Sequence, residues 1–416
     1  VGYDYHLMTE LKPIPGKNIA IRVSKQAEGM IRKNHPWVFD QAITYQSHAG
    51  NIGDLAVIFD SKRNFLAVGL FDPGSVIRIR VLEYGKPVEI NKDWLVQKIQ
   101  LAADKRGVFS SQNTSGYRLV FGENDGLPGL VIDRYADVFV IKIYTAAWFP
   151  YLSWLIESLK YLHQFESLVL RLSRNITQIA KDKFGLNDGV LLAGERINKP
   201  TLFAENGLIF EADPINGHKT GFYLDQRENR ARVEALSAGK AVLNMFSYNG
   251  GFSLYAARGG AKSIISVDLN PLALESAARN FSYNQNYPAI KTCQNEMVAE
   301  DAFKYLAALE QNKRKFDLVI LDPPMFAHKQ NQVPQAIANY QKLTQLGLAV
   351  LNTGGILVQA SCSSRVNPPS FFNAIHSAVQ RSGQKIREIE RSGHPIDHPI
   401  GFPEGEYLKC LFAIID

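Results

Sequence analysis

The sequence predicts an α/β protein in three parts. Residues 1–82 read as a small β-barrel, 83–206 as a central α+β part, and 207–416 as an open, mostly parallel sheet wound with helices. Three observations carry this reading. Apolar runs in the second half, Ala241–Met245, Ser263–Val267, Phe316–Leu321 and Ile356–Ala360, each give way to turn residues and then to a helical stretch, the rhythm of βαβ units. The first part instead holds closely spaced strands broken at Gly50, Gly53, Pro73-Gly74 and Gly85, the spacing of a small barrel. A chain of 416 residues, 46% hydrophobic and 21% charged, suffices for more than one packed core.

The barrel strands are Ile19–Val23, Leu55–Phe59, Phe65–Leu70 and Val76–Val81. Between the first two lie Arg32 and Lys33, cations that suit a phosphate backbone, and Trp37, which suits either a base stack or the core and is favoured for the core. In the central part Trp94–Lys105 and Phe149–His163 carry helical periodicity, and Arg118–Phe121, Leu130–Asp133, Val138–Ile143 and Ser167–Leu172 are strands. Asp125-Gly126 reads first as a tight turn. The last part opens with a helix over Asp225–Leu236, then Pro271–Asn284 with proline in its first turn, a strand within Lys291–Val298, a helix over Asn331–Leu351, and closing strands Lys385–Glu390 and Leu408–Ile414.

The net charge of +6 permits nucleic-acid binding without requiring it. Cys293, Cys362 and Cys410 make no C-x-x-C pair, so neither a zinc site nor a disulfide framework is expected, and a cytoplasmic setting follows. No apolar run is long enough for a membrane span, and the start does not resemble a signal peptide. The residues ahead of Met8 read as a processing remnant and are left out of the fold reading.

Lys240–Asp268 joins a strand, the turn Ser247-Tyr248-Asn249-Gly250-Gly251, a helix and a second strand ending on Asp268. In open parallel sheets ligands bind beyond the carboxyl ends of the strands, and an acid there accepts from both ribose hydroxyls. Asp268 follows Gly250 by 18 positions, but neither G-x-G-x-x-G nor a P-loop is present. That favours a nucleoside without a pyrophosphate, of which S-adenosyl-L-methionine is the common case. Asp301 suits either the adenine amino group or a helix cap. Gln226 and Arg227 suit a carboxylate or the substrate, or else a solvated helix start.

Two further groups end buried strands. Asp322, followed by Pro323-Pro324-Met325-Phe326, ends one, and Cys362, within Ser361–Ser364, ends the next. If these strands neighbour each other, about 4.8 Å apart, both side chains face one crevice. A thiolate there suits methylation at carbon 5 of a pyrimidine, because addition at carbon 6 makes carbon 5 nucleophilic. A carboxyl group on N3 and the exocyclic amine assists. The plainer alternatives are a buried structural cysteine and a turn cap.

His35–Phe39, Phe121–Tyr135, Gly217–Arg230 (GHKTGFYLDQRENR), Leu243–Ser253, Leu321–Phe326 and Ser361–Ser364 together resemble the PUA-domain class I methyltransferases that make 5-methylcytosine in 23S rRNA. The resemblance runs in order from about Ile19 over nearly the whole chain. It implies an N-terminal PUA barrel, a linking α+β domain and a C-terminal Rossmann-like methyltransferase domain. It also implies S-adenosyl-L-methionine bound along Phe246, Ser247, Tyr248, Asn249 and Gly250, with Asp268 and Leu269, Asp301 and Ala302, Gln226 and Asp322 around it. Cys362 is then the nucleophile, and Arg32, Lys33, Arg227, Pro323, Pro324 and Phe326 meet RNA. 23S rRNA is the expected partner, and a homodimer is expected. Met325, Asn249 and Ser364 stand where the family commonly has Lys, Thr and Gly. Two competing readings are N-methylation of guanine or adenine through the Asp-Pro-Pro loop, and a non-catalytic RNA-binding assembly factor.

Overall fold

A computed structural model describes residues 16–416, so the reading of the residues ahead of Met8 lies outside the described residues. The chain forms two compact units. One comprises the described residues up to Gly207, Glu211–Leu224 and Ile396–Phe402; the other comprises Leu208–Phe210, Asp225–Pro395 and Pro403–Asp416.

In the first unit the four expected barrel strands are β1 (Asn18–Val23), β4 (Leu55–Phe59), β5 (Phe65–Phe71) and β6 (Ile77–Tyr84), and two short strands that were not expected join them, β2 (Trp37–Phe39) and β3 (Ile43–Gln46). They form one sheet of order β2-β6-β5-β4-β1-β3, in which β1 runs parallel to β4 and the other pairs are antiparallel. Ile19, Ile21, Ile58 and Ile79 are fully buried beneath it. β7 (Gly116–Phe121), β8 (Leu130–Tyr135), β9 (Val138–Ile143), β10 (Ser167–Leu172) and β11 (Val190–Gly194) make a second sheet in the order β11-β10-β9-β8-β7. Helices Lys92–Lys105 and Leu152–Leu162 share its core around Trp148 and Leu155, which Leu70 and Leu82 of β5 and β6 also enter. β12 (Thr201–Glu205) lies in this unit, and β13 (Leu208–Ala212) starts in the second unit and ends in this one.

The second unit carries β14 (Ala241–Met245), β15 (Ser263–Asp268), β16 (Gln294–Ala299), β17 (Phe316–Leu321), β18 (Leu351–Ser361), β19 (Ile386–Ser392) and β20 (Lys409–Ile415) in the order β16-β15-β14-β17-β18-β20-β19. The first five are parallel, and β20 runs antiparallel between β18 and β19. β14 lies between β15 and β17, so the strand order reverses there. The buried runs Leu243–Met245 and Val319–Leu321 need helices on both faces, which Gly251–Arg258, Pro271–Tyr283, Ala302–Gln311, Val333–Ala349 and Pro368–Arg381 supply. Asn270, Asp301 and Asn367 cap three of these helices with side-chain oxygens.

Three local readings are corrected. Lys291 lies in a short helix, Pro288–Thr292, which Cys293 caps, so the strand begins only at Gln294; the prolyl start at Pro288 favours the helical turn. β18 begins at Leu351, earlier than expected. Leu351 pairs with Phe316 and Ile356 with Leu318, so residues 352–355 bulge opposite Asp317, with Gly354 at φ 73°. The helix expected from Asp225 begins at Arg227, after a 3-10 turn.

Asp125 is more than a turn residue. Arg106 donates to both its carboxylate oxygens at 2.9 and 2.7 Å, and Phe121 N–H donates at 2.8 Å. Both side chains are almost wholly buried. Burial pushes the Asp125 pKa up, but the hydrogen bonds and charge of Arg106 outweigh it and leave the pKa below the ordinary carboxylate value. A depressed folded pKa means that the stabilisation is complete above the unfolded value of about 3.9 and is lost as pH falls through the folded value. Asp125→Ala should cost about 3–5 kcal/mol in denaturant unfolding at pH 7, because Arg106 keeps its charge without its carboxylate. The difference from wild type should shrink in acid, below about pH 3.9.

Candidate active site

The carboxyl ends of β14, β15, β17 and β18 carry the predicted groups of the second unit. After β14 the chain turns sharply. Phe246 (φ 59°), Tyr248 (φ 48°) and Gly250 (φ 75°) all take left-handed backbone, a strained conformation for two aromatic residues. A Cβ on Gly250 would come within 2.9 Å of the Ala277 Cβ, so the helix Pro271–Tyr283 also requires glycine there. Ser247 N–H donates to Val267 O and Asn280 Nδ2 to Asn249 O, both at 2.9 Å, tying the turn to β15 and to that helix. Ser247 Oγ is buried with no hydrogen-bond partner among the described residues.

Asp268 receives Tyr248 N–H at 2.8 Å on one carboxylate oxygen and Asn270 N–H at 2.9 Å on the other. It is half-buried at the end of β15, and Leu269 beside it is 71% exposed. Each carboxylate oxygen has a second lone pair for a ligand hydroxyl. Asp301 accepts Lys304 N–H at 3.0 Å and so performs the helix-cap role, with Ala302 buried behind it. Phe246 meets Phe303 edge to face, with ring centroids 6.4 Å apart.

β17 and β18 are neighbours, as the shared crevice requires: Leu321 pairs with Gln359. Asp322 and Cys362 follow these strand ends and are both half-buried. Both bear electrostatically on Tyr340, whose hydroxyl lies 2.8 Å from Ser361 Oγ. Gln226 Nε2 donates to Asp322 Oδ2 at 3.0 Å, and Asn229 Nδ2 donates to Gln226 Oε1 at 2.6 Å. Gln226 is thus a buried brace for the carboxylate. Pro323 is buried and Pro324 exposed, while Phe326 packs on Tyr340 with ring centroids 4.9 Å apart.

Arg227, expected to meet RNA, lies inside the second unit. Its residue is 1% exposed, because the first turn of helix Arg227–Leu236 faces inward. Arg32 and Lys33 are exposed at the end of helix Lys25–Ile31, and Arg32 pairs with Asp60 at 3.0 Å. Trp37 donates from Nε1 to Glu123 at 2.8 Å and meets Phe402 at 5.1 Å, contacts that make it structural.

Sequence reading missed Asn229, Tyr340 and Lys409, whose roles arise from contacts distant along the chain. It also missed a hollow of about 450 Å³ on the barrel, lined by Ala20, Ile21, Arg22, Tyr45, Phe59 and Arg63. Arg22 stacks over the Tyr45 ring at 4.3 Å. Arginine and exposed aromatic side chains in β1 and β3 were the available signal. No group of three or more His, Cys, Asp or Glu among the described residues could hold a metal ion. No helix among them is long and apolar enough to cross a membrane.

Comparison with known proteins agrees with this architecture. Residues 183–412 match the family described as S-adenosylmethionine-dependent methyltransferase, and residues 21–84 match a PUA-like domain. A ribosomal RNA large subunit methyltransferase of Deinococcus radiodurans is 46% identical over 403 residues, covering 96% of this chain and 98% of the relative. Ribosomal RNA large subunit methyltransferase I of Aliivibrio fischeri is 36% identical over 394 residues, covering 94% and 98%. A solved S-adenosylmethionine-dependent methyltransferase from Streptococcus mutans, 22% identical, shares the fold with a TM-score of 0.80 over 95% of this chain and 99% of its own. The chain therefore belongs to the S-adenosylmethionine-dependent methyltransferases, in the group that joins a PUA-like domain to a Rossmann-like catalytic domain and includes the ribosomal RNA large subunit methyltransferases.

Proposed function

We propose that this protein transfers the methyl group of S-adenosyl-L-methionine to carbon 5 of a cytosine in 23S rRNA, with Cys362 as the nucleophile. The names of its relatives support large-subunit rRNA as the substrate. The observation that carries the chemistry is the pairing of β17 with β18, which sets Asp322 and Cys362 beyond adjacent parallel strand ends.

The residues fit the cofactor. Asp268 suits the ribose hydroxyls, the turn Phe246–Gly250 presents backbone at close range, and the unpartnered Ser247 Oγ is a further polar contact. When bound, the cofactor supplies an electrophilic methyl group. The chain's own residues do the rest. Cys362, as thiolate, adds to carbon 6 of the base, and carbon 5 becomes the nucleophile that takes the methyl group. Asp322, braced by Gln226, takes up a proton on binding the base, donates it to N3 and accepts from the amino group of the cytosine. Solvent takes the carbon 5 proton, the pair left behind re-forms the carbon 5–carbon 6 double bond, and the bond from carbon 6 to sulfur breaks to return the thiolate. The same braced Asp322-Pro323-Pro324 loop also suits an exocyclic amine, which keeps N-methylation as the competing reading.

On the barrel, the Arg22–Tyr45 stack with Phe59 and Arg63 combines cation and aromatic face, the pairing that holds unstacked bases and phosphates.

Three measurements test these assignments. 23S rRNA fragments carrying 5-fluorocytosine, incubated with protein and cofactor, should yield a covalent adduct on a denaturing gel, because fluorine blocks the last elimination. The adduct should vanish in Cys362→Ala. Methyl transfer to ordinary rRNA without any adduct would instead select N-methylation. Asp268→Ala should weaken cofactor binding by calorimetry by about 1.5–3 kcal/mol, the range for hydrogen bonds to a charged group. Tyr45→Ala should weaken RNA binding by about 1–3 kcal/mol, the value of one stacked base; unchanged affinity would exclude the hollow as an RNA contact.

A further inference from the structure

Lysine is rarely buried without a counter-charge, yet Lys409 is 2% exposed. It is the first residue of β20, where Ser361 is its cross-strand partner, one residue before Cys362. Its ammonium donates to Ser363 O at 2.5 Å, Val366 O at 2.8 Å and Tyr407 O at 2.9 Å. These three bonds use all three of its protons. Two of the acceptors belong to the loop that follows Cys362. We propose that Lys409 is a positioning residue for Cys362: its buried ammonium holds the loop after β18 by two carbonyls and stabilises the thiolate through space.

The surroundings support this role. Burial lowers the Lys409 pKa to about 8, with Cys362 and Glu406 opposing that shift. Asp322 opposes thiolate formation, whereas the cation Arg365 favours it but is exposed and screened by solvent. Asp322 brings negative charge from the end of β17, and the Tyr340 phenol, pushed up chiefly by burial, stays protonated. His394 accepts the Tyr407 and Leu408 N–H groups through Nε2, Cys410 is fully buried, and Arg365 in the same loop is exposed. Lys409 is thus a buried cation bonded to the loop that carries the thiol, and a nearby cation lowers a cysteine pKa.

The inference rests on Cys362 as the nucleophile, but its test uses neither RNA nor cofactor. The full chain is alkylated with iodoacetamide across pH, the thiolate displacing iodide, and the Cys362 peptide is followed by mass spectrometry. Cys293, whose pKa burial raises to about 11, serves as an internal control. The wild-type Cys362 midpoint should fall below the ordinary thiol value of about 8.5. Lys409→Met should raise it by about one unit, lowering the rate at pH 7 about tenfold. Lys409→Gln, which keeps a donor but no charge, should show the same shift. A wild-type midpoint at or above 8.5, or a Lys409→Gln profile matching wild type, would overturn the proposal; the first of these requires no variant to fold. A fluorocytosine adduct with an unshifted profile would overturn this inference alone. A shifted profile with methyl transfer but no adduct would overturn the carbon 5 reading alone.

Discussion

Parallel pairing of β14 with β15 and β17, and of β17 with β18, is the constraint on which the second unit depends. Parallel strands end on one edge of the sheet, so residues just past each strand converge there although they lie more than a hundred positions apart in the chain. The turn after β14, Asp268, Asp322 and Cys362 are all such residues. β20 obeys the same geometry in reverse. Because it is antiparallel to β18, it begins where the parallel strands end, and its first residue, Lys409, arrives beside the Cys362 loop. A lysine anywhere else on β20 would lie on a different level of the sheet.

The edge is held by polar groups that are themselves braced. Asp268 ties the strained turn after β14 to the turn after β15 through Tyr248 and Asn270 N–H groups. Asn244 donates to Ser253 Oγ, which lies 2.8 Å from Ser266 Oγ, linking strand, helix and neighbouring strand beneath the turn. Such buried bonds hold left-handed backbone at Phe246 and Tyr248, which costs of order 1–3 kcal/mol per residue and persists only where surroundings enforce it. Gln226 and Asn229 do for Asp322 what Asn280 does for the turn.

In the first unit, residues that look chemical are structural. Arg118 forks onto Asp133, and Thr220 of the GHKTGFY stretch donates to the same carboxylate. Arg106 forks onto Asp125 and also donates to Asp397 O, while Asp397 accepts Arg118 N–H. Several motif positions thus serve packed ion pairs, where losing one partner leaves a buried charge. The Thr220 side of that motif belongs to this unit, and only its end, from Asp225, reaches the second.

The sequence by itself determined the βαβ rhythm, the acidic ends of β15 and β17 and the cysteine after β18, because buried parallel strands read as apolar runs and their chemistry lies at fixed offsets from them. It also made the family resemblance visible, through motifs that keep their order along the chain. It could not decide between cap and ligand for Asp301, or between solvent and interior for Arg227, because one side chain's direction depends on the helix it starts and the face that helix buries. Nor could it reveal Asn229, Tyr340, Lys409 or the Arg22–Tyr45 hollow. Those depend on strand order and on contacts across many residues, and no local pattern encodes a partner that only tertiary folding brings near.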